Sequence, residues 1–439
     1  MTTVLLLATL FYRYYASTLI STPYPLFPIP YSLSMQRRSF LVTLGSLALG
    51  SGLTSCQGQN RSILRLSALK SALPPQLLSE FSKSIQPLAS KVELVGEAQF
   101  KEILTQLQEW YKTGKAESKG LKIPLIPPSK SAEYIPNLVT IGDAWLPMAI
   151  QKKLIQPIDP QSLTNWPKLE PRWRELAQRD DRGNSIANGQ VWGVPYRWGT
   201  TVIIYRRDRL EEANIPIPKD WADLWNPQLK QRVSLLDRSR EVIGLTLKKL
   251  GSSYNLTDLS QVTALKSALA QLHQQTKFYS AENYLQPLVM GDTWVAVGWS
   301  SDAIDLMQKN PNIGAIVPSS GTALFADLWV RPANSAKLSS TELQAANNKY
   351  RTKLTHQWLD YCLQLQVSNQ ISLFTTTTAP LLTSLNDKQI SPDIKRNSLT
   401  LPAKSILDKS EFIYPLSSTS QQQYDRLWRE IRSVPISLL

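Results

Sequence analysis

The run DWADLWNPQLKQRVSLLDRSREVIGLTLKKLGSSYN, Asp220 to Asn255, holds two helix signals around a strand signal. Asp220 stands before WADLW, where a carboxylate at the N-cap accepts free backbone N–H groups. Pro227 stops that short helix. RVSLL (Arg232–Leu236) is a short apolar run of strand length. SREVIGLTLKKLG then reads as a helix ending at Gly251, the residue type that best tolerates the turn past a helix end.

The same alternation continues outward. Before it, ILRLSAL, KVELVG, NLVTIG and TTVIIYRR read as strands. PPQLLSEFSKSI reads as a helix with prolines at its start, where a missing N–H costs nothing. Phe100, Ile103, Leu104, Leu107, Trp110 and Tyr111 fall on one helical face. DAWLPMAIQKKL reads as a helix capped by Asp143, and the proline-bearing 115–131 stretch as loop. After it, TDLSQVTALKSALAQLHQQ and SSDAIDLMQKN read as helices, and TWVAVGW, NIGAIVP and FADLWV as strands. ELQAANNKYRTKLTHQWLDYCLQLQ reads as one long helix. Strands alternating with helices at this spacing predict an α/β fold with mostly parallel sheets.

Composition narrows the function. Hydrophobic residues make up 42% of the 439 and charged residues 19%, which is globular rather than disordered. The length suits two lobes, each with its own core. The net charge is +14, but the basic residues are scattered and no basic motif is interleaved with aromatics. Nucleic acid is therefore not an expected partner; the charge reads as general surface charge, facing an anionic bilayer. The two histidines, His273 and His356, lie far apart, and only two cysteines exist. No metal and no cofactor are expected. There is no Gly-x-Ser-x-Gly, no phosphate loop and no dinucleotide fingerprint, and the Asp180–Asp181 pair sits in a polar loop. The chain is not expected to be an enzyme.

The N-terminal region carries an export pattern. Arg37-Arg38-Ser39-Phe40-Leu41 precedes a charge-free run of small and apolar residues ending in Leu53-Thr54-Ser55-Cys56. Paired arginines, a short apolar stretch and small residues make a signal segment of twin-arginine-like form. Residues 1–55 are thus expected to be leader and signal, with Met1 or Met35 as start, and 56–60 a tether. The last four residues resemble a bacterial lipoprotein box, which implies lipid on the Cys56 sulfur and a periplasmic protein anchored to the membrane. An ordinary cleaved signal with a chance cysteine is the alternative.

The Asp220–Asn255 run resembles the extracellular solute-binding proteins of ABC importers, and most closely the spermidine/putrescine-binding group. ALPPQLLSEF, GDAWLPMAIQKKLIQPID, VWGVPYRWGTTVIIYRRDRL, DTWVAVGWSSDA and LFADLWVRPANS follow in family order. The resemblance implies a two-lobed periplasmic-binding-protein fold of type II with the ligand cleft between lobes. Crossovers would fall near Thr200–Val202, Phe325–Ala326 and Thr377–Leu382. Residues 61–200 and 326–378 would form lobe 1, and 203–324 and 379–439 lobe 2. The implied function is capture of a polyamine or related cationic amine and its delivery to permease subunits, by a monomer.

The resemblance also implies site residues. Asp327 matches a cleft carboxylate that binds amines, and Phe325 a cleft aromatic; their period-two spacing puts both on one strand face. Trp299 matches another cleft aromatic, and Ser300 and Ser301 open a helix with free N–H groups. Glu241 matches an amine-binding acid. Trp145 is placed to supply ring area, with Tyr196 and Trp198 on the hinge side. Each also has a structural explanation: core packing for Phe325 and Trp299, a strand-end acid for Asp327, helix-dipole pairing for Glu241. Three positions depart from the polyamine pattern. Arg238 replaces a second acid, and Leu69 and Ala72 replace aromatics. Arg238 therefore opens an alternative, an anion-bearing solute. A non-transport sensor or scaffold of the same fold is a further one.

The lipoprotein pattern yields a direct test. Mass spectrometry of the membrane fraction is expected to find Cys56 as the lipid-modified first residue. A soluble protein that starts elsewhere and keeps a free Cys56 thiol would refute this.

Overall fold

The computed structural model describes residues 62–85, 89–114, 135–333 and 342–433. The expected signal segment, tether and Cys56 lie outside the described residues, as does the whole of the expected 115–131 loop. Strands β1 to β6 are Ser62–Leu69, Ala89–Glu97, Leu138–Gly142, Ile155–Gln156, Gln178–Arg179 and Gln190–Val191. Strands β7 to β9 are Val194–Arg206, Val233–Leu235 and Thr276–Tyr279. Strands β10 to β13 are Val295–Trp299, Ile313–Ile316, Ala323–Pro332 and Glu411–Phe412. Among the described residues, the main path of hydrogen-bonded strands is β2-β1-β3-β12-β7-β10-β8-β9.

The fold class is α/β, as the alternation predicts. Outer pairs β1–β2, β1–β3, β8–β9 and β8–β10 are parallel. The centre departs from the expected parallel pattern: β12 runs antiparallel to both β3 and β7, and β7 antiparallel to β10. The reason lies in β7 and β12, which run from one hydrophobic core into another rather than closing strand–helix–strand units.

β7 is thirteen residues long, roughly 43 Å at about 3.3 Å per residue. Its first half, Val194, Tyr196 and Trp198, packs in a core with β1, β3 and most of β12. Its second half divides between two clusters, Ile203 and Tyr205 in one, Val202 and Ile204 in the other. The partner changes at the same place. Residues 194–200 pair with β12, and 201–205 with β10. A third chain segment meets β7 here, because Trp198 and Thr378 exchange both backbone hydrogen bonds at 2.8 and 2.9 Å. Where 379–439 was expected with lobe 2, its apolar residues divide. Leu381, Leu382, Ile390, Ile394, Leu407 and Phe412 join the first core, while Tyr424 and Ile431 join the second.

Several local expectations shift in form. WADLW is a 3-10 helix, Trp221–Trp225, with Asp220 and Asp223 in a reciprocal capping box. The helix at Ser239–Lys249 ends as expected before Gly251, which takes φ 77°. The long C-terminal helix stops at Cys362, and a separate helix, Leu365–Phe374, follows. Cys362 is buried in the first core, and burial pushes its thiol well above the ordinary range.

Asp143 is the main correction to the capping pattern. Its segment begins with a 3-10 turn, Asp143–Trp145, whose N-cap is Gly142. Asp143 instead reaches across to β12, where its Oδ1 accepts the Ala326 N–H at 3.1 Å. Burial is the largest influence on this carboxyl, and the Asp327 charge adds to it, so its pKa is pushed up to about 7. The Ala326 N–H and the Arg179 charge oppose that rise in part.

The sign of the resulting pH dependence follows from linkage. Between pH 4 and 7 the folded chain holds a proton here that the unfolded chain has lost, so stability falls as pH rises through that window. Asp143→Asn keeps an acceptor for Ala326 and cannot ionise. It is expected to raise the melting temperature at pH 8 and leave it nearly unchanged at pH 4. The gain is at most about 4 kcal/mol, at ~1.4 kcal/mol per pKa unit. Equal effects at both pH values, read by calorimetry, would contradict this account.

Candidate ligand site

Between the two ends of β7 lies a stretch that is polar or small on one face. In antiparallel pairing, opposed residues share a face of the sheet. Arg197 opposes Asp327, Gly199 opposes Phe325, and Thr201 opposes Trp299. Three successive rungs thus carry an ion pair, a ring over a glycine, and a hydroxyl beside an indole.

Gly199 is required here for space. A Cβ at this position would overlap the Phe325 ring and lie 2.7 Å from the Ser300 Oγ. Without it, Phe325 lies across the strand, half-buried, and the Ser300 Oγ accepts the Thr200 N–H at 3.1 Å. Trp299 is also half-buried. The Tyr284 ring meets it edge-on, with centroids 5.7 Å apart and planes at 89°. Tyr284 is fixed in turn: its hydroxyl donates to Asp302 at 2.6 Å and accepts the Trp299 N–H at 3.2 Å.

The charges are arranged in two groups. Arg197 Nε donates to Asp327 Oδ2 at 2.6 Å, and the two residues are only 8% and 4% exposed. Burial raises the Asp327 carboxyl, while the guanidinium beside it acts to lower it. The pair also holds Arg197 firmly charged. In the second group, Glu241 Oε2 accepts from Thr201 Oγ1 at 3.1 Å. Desolvation raises the Glu241 carboxyl, opposed by Thr201 and by the charges of Arg238 and Arg240. The Arg238 guanidinium lies 5.1 Å from the Trp299 ring centroid. That is within reach of a cation–π contact.

The structure therefore gathers Asp327, Phe325, Trp299, Ser300, Glu241 and Arg238 around one short stretch. Asp237 does not tie Arg238 down; its carboxylate lies 3.8 Å from Arg432. Trp145 is 38% exposed, three residues after Gly142, which opposes Asp327 on β3. Tyr196 goes elsewhere. It is the extra residue of a β-bulge, where Arg197 opposes Asp327 and Pro195 opposes Leu328, and it is fully buried in the first core, its ring 5.2 Å from Trp329 and 5.8 Å from the Arg197 guanidinium carbon. Trp198 likewise packs against Trp173 at 5.1 Å. Both rings are taken up by the first core. Leu69 packs at the edge of the first core, and Ala72 is buried in it.

Sequence reasoning passed over Arg197, Thr201 and Asp143. A signal for Arg197 was present. It is a charge inside a strand that is otherwise apolar, in the run VPYRWGTTVIIY. Its register against Asp327 was not available from sequence.

Comparison with known proteins agrees with this architecture. Residues 133–401 match the family model for bacterial extracellular solute-binding protein. The spermidine/putrescine-binding periplasmic protein of Escherichia coli K12 is 25% identical over 390 residues, covering 88% of this chain and 97% of that protein. A putrescine/cadaverine-binding protein of Pseudomonas aeruginosa is 25% identical over 252 residues, 56% of this chain and 67% of that one. Among solved structures, the spermidine/putrescine ABC transporter substrate-binding protein PotD of Streptococcus pneumoniae aligns with a TM-score of 0.65. That match is 18% identical and covers 84% of this chain and 98% of the other, so it speaks to the fold. On the breadth of the family match, this chain belongs to the bacterial extracellular solute-binding proteins.

Proposed function

We propose that the protein captures a small charged solute between two lobes and presents it to the permease subunits of an ABC importer. The observation that carries this reading is the face of β7 and β12. It places rings and charged groups where the chain passes from one hydrophobic core to the next. Lobe closure about such strands needs only small backbone changes at the junction, and it removes the ligand from water. Lobes of 61–200 with 326–378, and of 203–324 with 379–439, would flank the cleft. The last segment contributes to both cores. A lipid on Cys56 would hold the monomer at the periplasmic face of the membrane, near its permease. No helix among the described residues is long and apolar enough to cross a membrane.

A polyamine or related cationic amine is the first candidate ligand. Glu241, Trp299 and Phe325 supply an acid and two rings, the groups that hold alkylammonium chains. Relatives carrying spermidine and putrescine in their names support the same chemistry. One observation favours the second reading, an anion-bearing solute. The Arg238 guanidinium already lies over the Trp299 ring.

Capture has two measurable consequences. A thermal-shift screen of amines, amino acids and phosphonates is expected to yield a ligand that raises the melting temperature, since binding to the native state stabilises it. Small-angle scattering with that ligand at saturation is expected to show a smaller radius of gyration. A radius that stays fixed on saturation, in a protein that is open when free, would contradict closure.

A further inference from the structure

In a cleft built for a diamine, carboxylates and ring faces stand ready for the two ammonium groups. Here the protein fills both places with its own cations. Asp327 is bound by Arg197 at 2.6 Å, and the Trp299 ring is covered by Arg238 at 5.1 Å. Neither arginine is turned to another carboxylate by a hydrogen bond of comparable length. Two further arginines border this face, the Arg240 charge acting on Glu241 and the Arg179 charge on Asp143. Arg240 donates to the carbonyls of Tyr414 and Tyr254, at 3.0 and 3.3 Å, and Arg179 lies 5.4 Å from the Tyr414 ring.

Asp327, Glu241, Arg197 and Arg238 sum to zero, and the bordering Arg179, Arg240, Asp143 and Asp302 do so as well when all four are ionised. That sum restricts what can be enclosed. A dication buried in a balanced cleft leaves two charges uncompensated, and burying unpaired charge is strongly unfavourable. Arg197 holds Asp327 Oδ2, so a diamine at this carboxylate would have to share it with a buried guanidinium that already neutralises it. A net-neutral ligand with one ammonium and one acidic group meets neither obstacle. The Arg197–Asp327 bond uses Nε. The guanidinium fork has further N–H donors on its terminal nitrogens, in a geometry that matches a carboxylate.

We infer that Arg197 sets the ligand class, and that the cleft takes a net-neutral solute carrying both an amine and an acidic group. The acidic group lies at the Arg197 guanidinium, and the amine at Glu241. The inference rests on this face being the ligand cleft, and it replaces the diamine with an ω-amino acid as the matching chemistry.

Isothermal titration calorimetry on the full chain, with chain-matched probes, tests it. The probes are putrescine and spermidine on one side, 4-aminobutyrate and 5-aminovalerate on the other. Wild type is expected to bind an amino acid of the series at least tenfold tighter than either polyamine. Arg197→Met is expected to weaken the amino acid at least tenfold and to strengthen putrescine, because Asp327 is released. The double variant Arg197→Met, Asp327→Asn removes both members of the buried pair and serves if the single variant does not fold. With unchanged circular dichroism, it should still lose the amino acid. A wild type that prefers putrescine or spermidine overturns the inference and leaves solute capture standing. So does amino-acid binding that both variants leave intact. If neither series binds and no solute in the wider screen raises the melting temperature, the capture reading falls with it.

Discussion

The structure depends on one strand serving more than one core. β7 is continuous from Val194 to Arg206, yet it changes pairing partner at Thr200–Thr201 and changes core at the same point. Continuity means that the junction keeps its backbone hydrogen bonds, so no buried N–H or C=O group has to be left open there. Trp198, Val202 and Ile203 join hydrophobic clusters around the junction, while the polar and small residues between and beside them join none. This is where Arg197, Gly199 and Thr201 sit, and where the polar groups of β10 and β12 meet them. The placement of the candidate site follows from the strand's shared membership.

The buried Arg197–Asp327 pair then controls the electrostatics of that place. Such a pair contributes little net stability, because desolvating both ions offsets most of their attraction. In the proposed reading of this face as a ligand cleft, its effect on binding is larger. A carboxylate that already has a guanidinium partner presents a different surface from a bare one. Asp143, placed beside it through β3 and tied to the Ala326 N–H, is the third acid of the region. Its raised pKa keeps it from adding a full negative charge near neutrality. The site therefore balances its charge through neighbours that lie far apart in sequence.

Much of the fold was legible in the sequence because the signals are local. The Phe100 helix face, the apolar run of β10 and the Asp220 cap all depend on residues a few positions apart. The family pattern likewise pointed to Asp327, Phe325, Trp299 and Glu241, which do converge. The failures share a cause. Asp143 looked like a cap because it precedes a helix, but its partner is Ala326, on a strand far along the chain. Arg197 was passed over, and Tyr196 beside it was read as a hinge-side ring, whereas the structure buries that ring in the first core against Trp329. Their placement is fixed by the pairing of β7 with β12, whose register shifts by one residue between Arg197 and Pro195. Sequence carries that information only through the partner strand. The antiparallel centre escaped for the same reason, since alternation of strand and helix says nothing about strands that cross between cores.

The burial of Cys362 has a practical consequence for anyone handling the protein. The thiol lies in the first core, in the same cluster as Trp329 and Trp358, and desolvation keeps it protonated. A thiolate is the reactive species in alkylation and disulfide exchange, so this sulfur is chemically silent while the fold persists. It is the one free cysteine among the described residues. Single cysteines introduced on the surface of each core can therefore carry fluorophores or spin labels without first replacing it. A sudden uptake of label at Cys362 would instead report that the first core has opened, giving a built-in clock for unfolding.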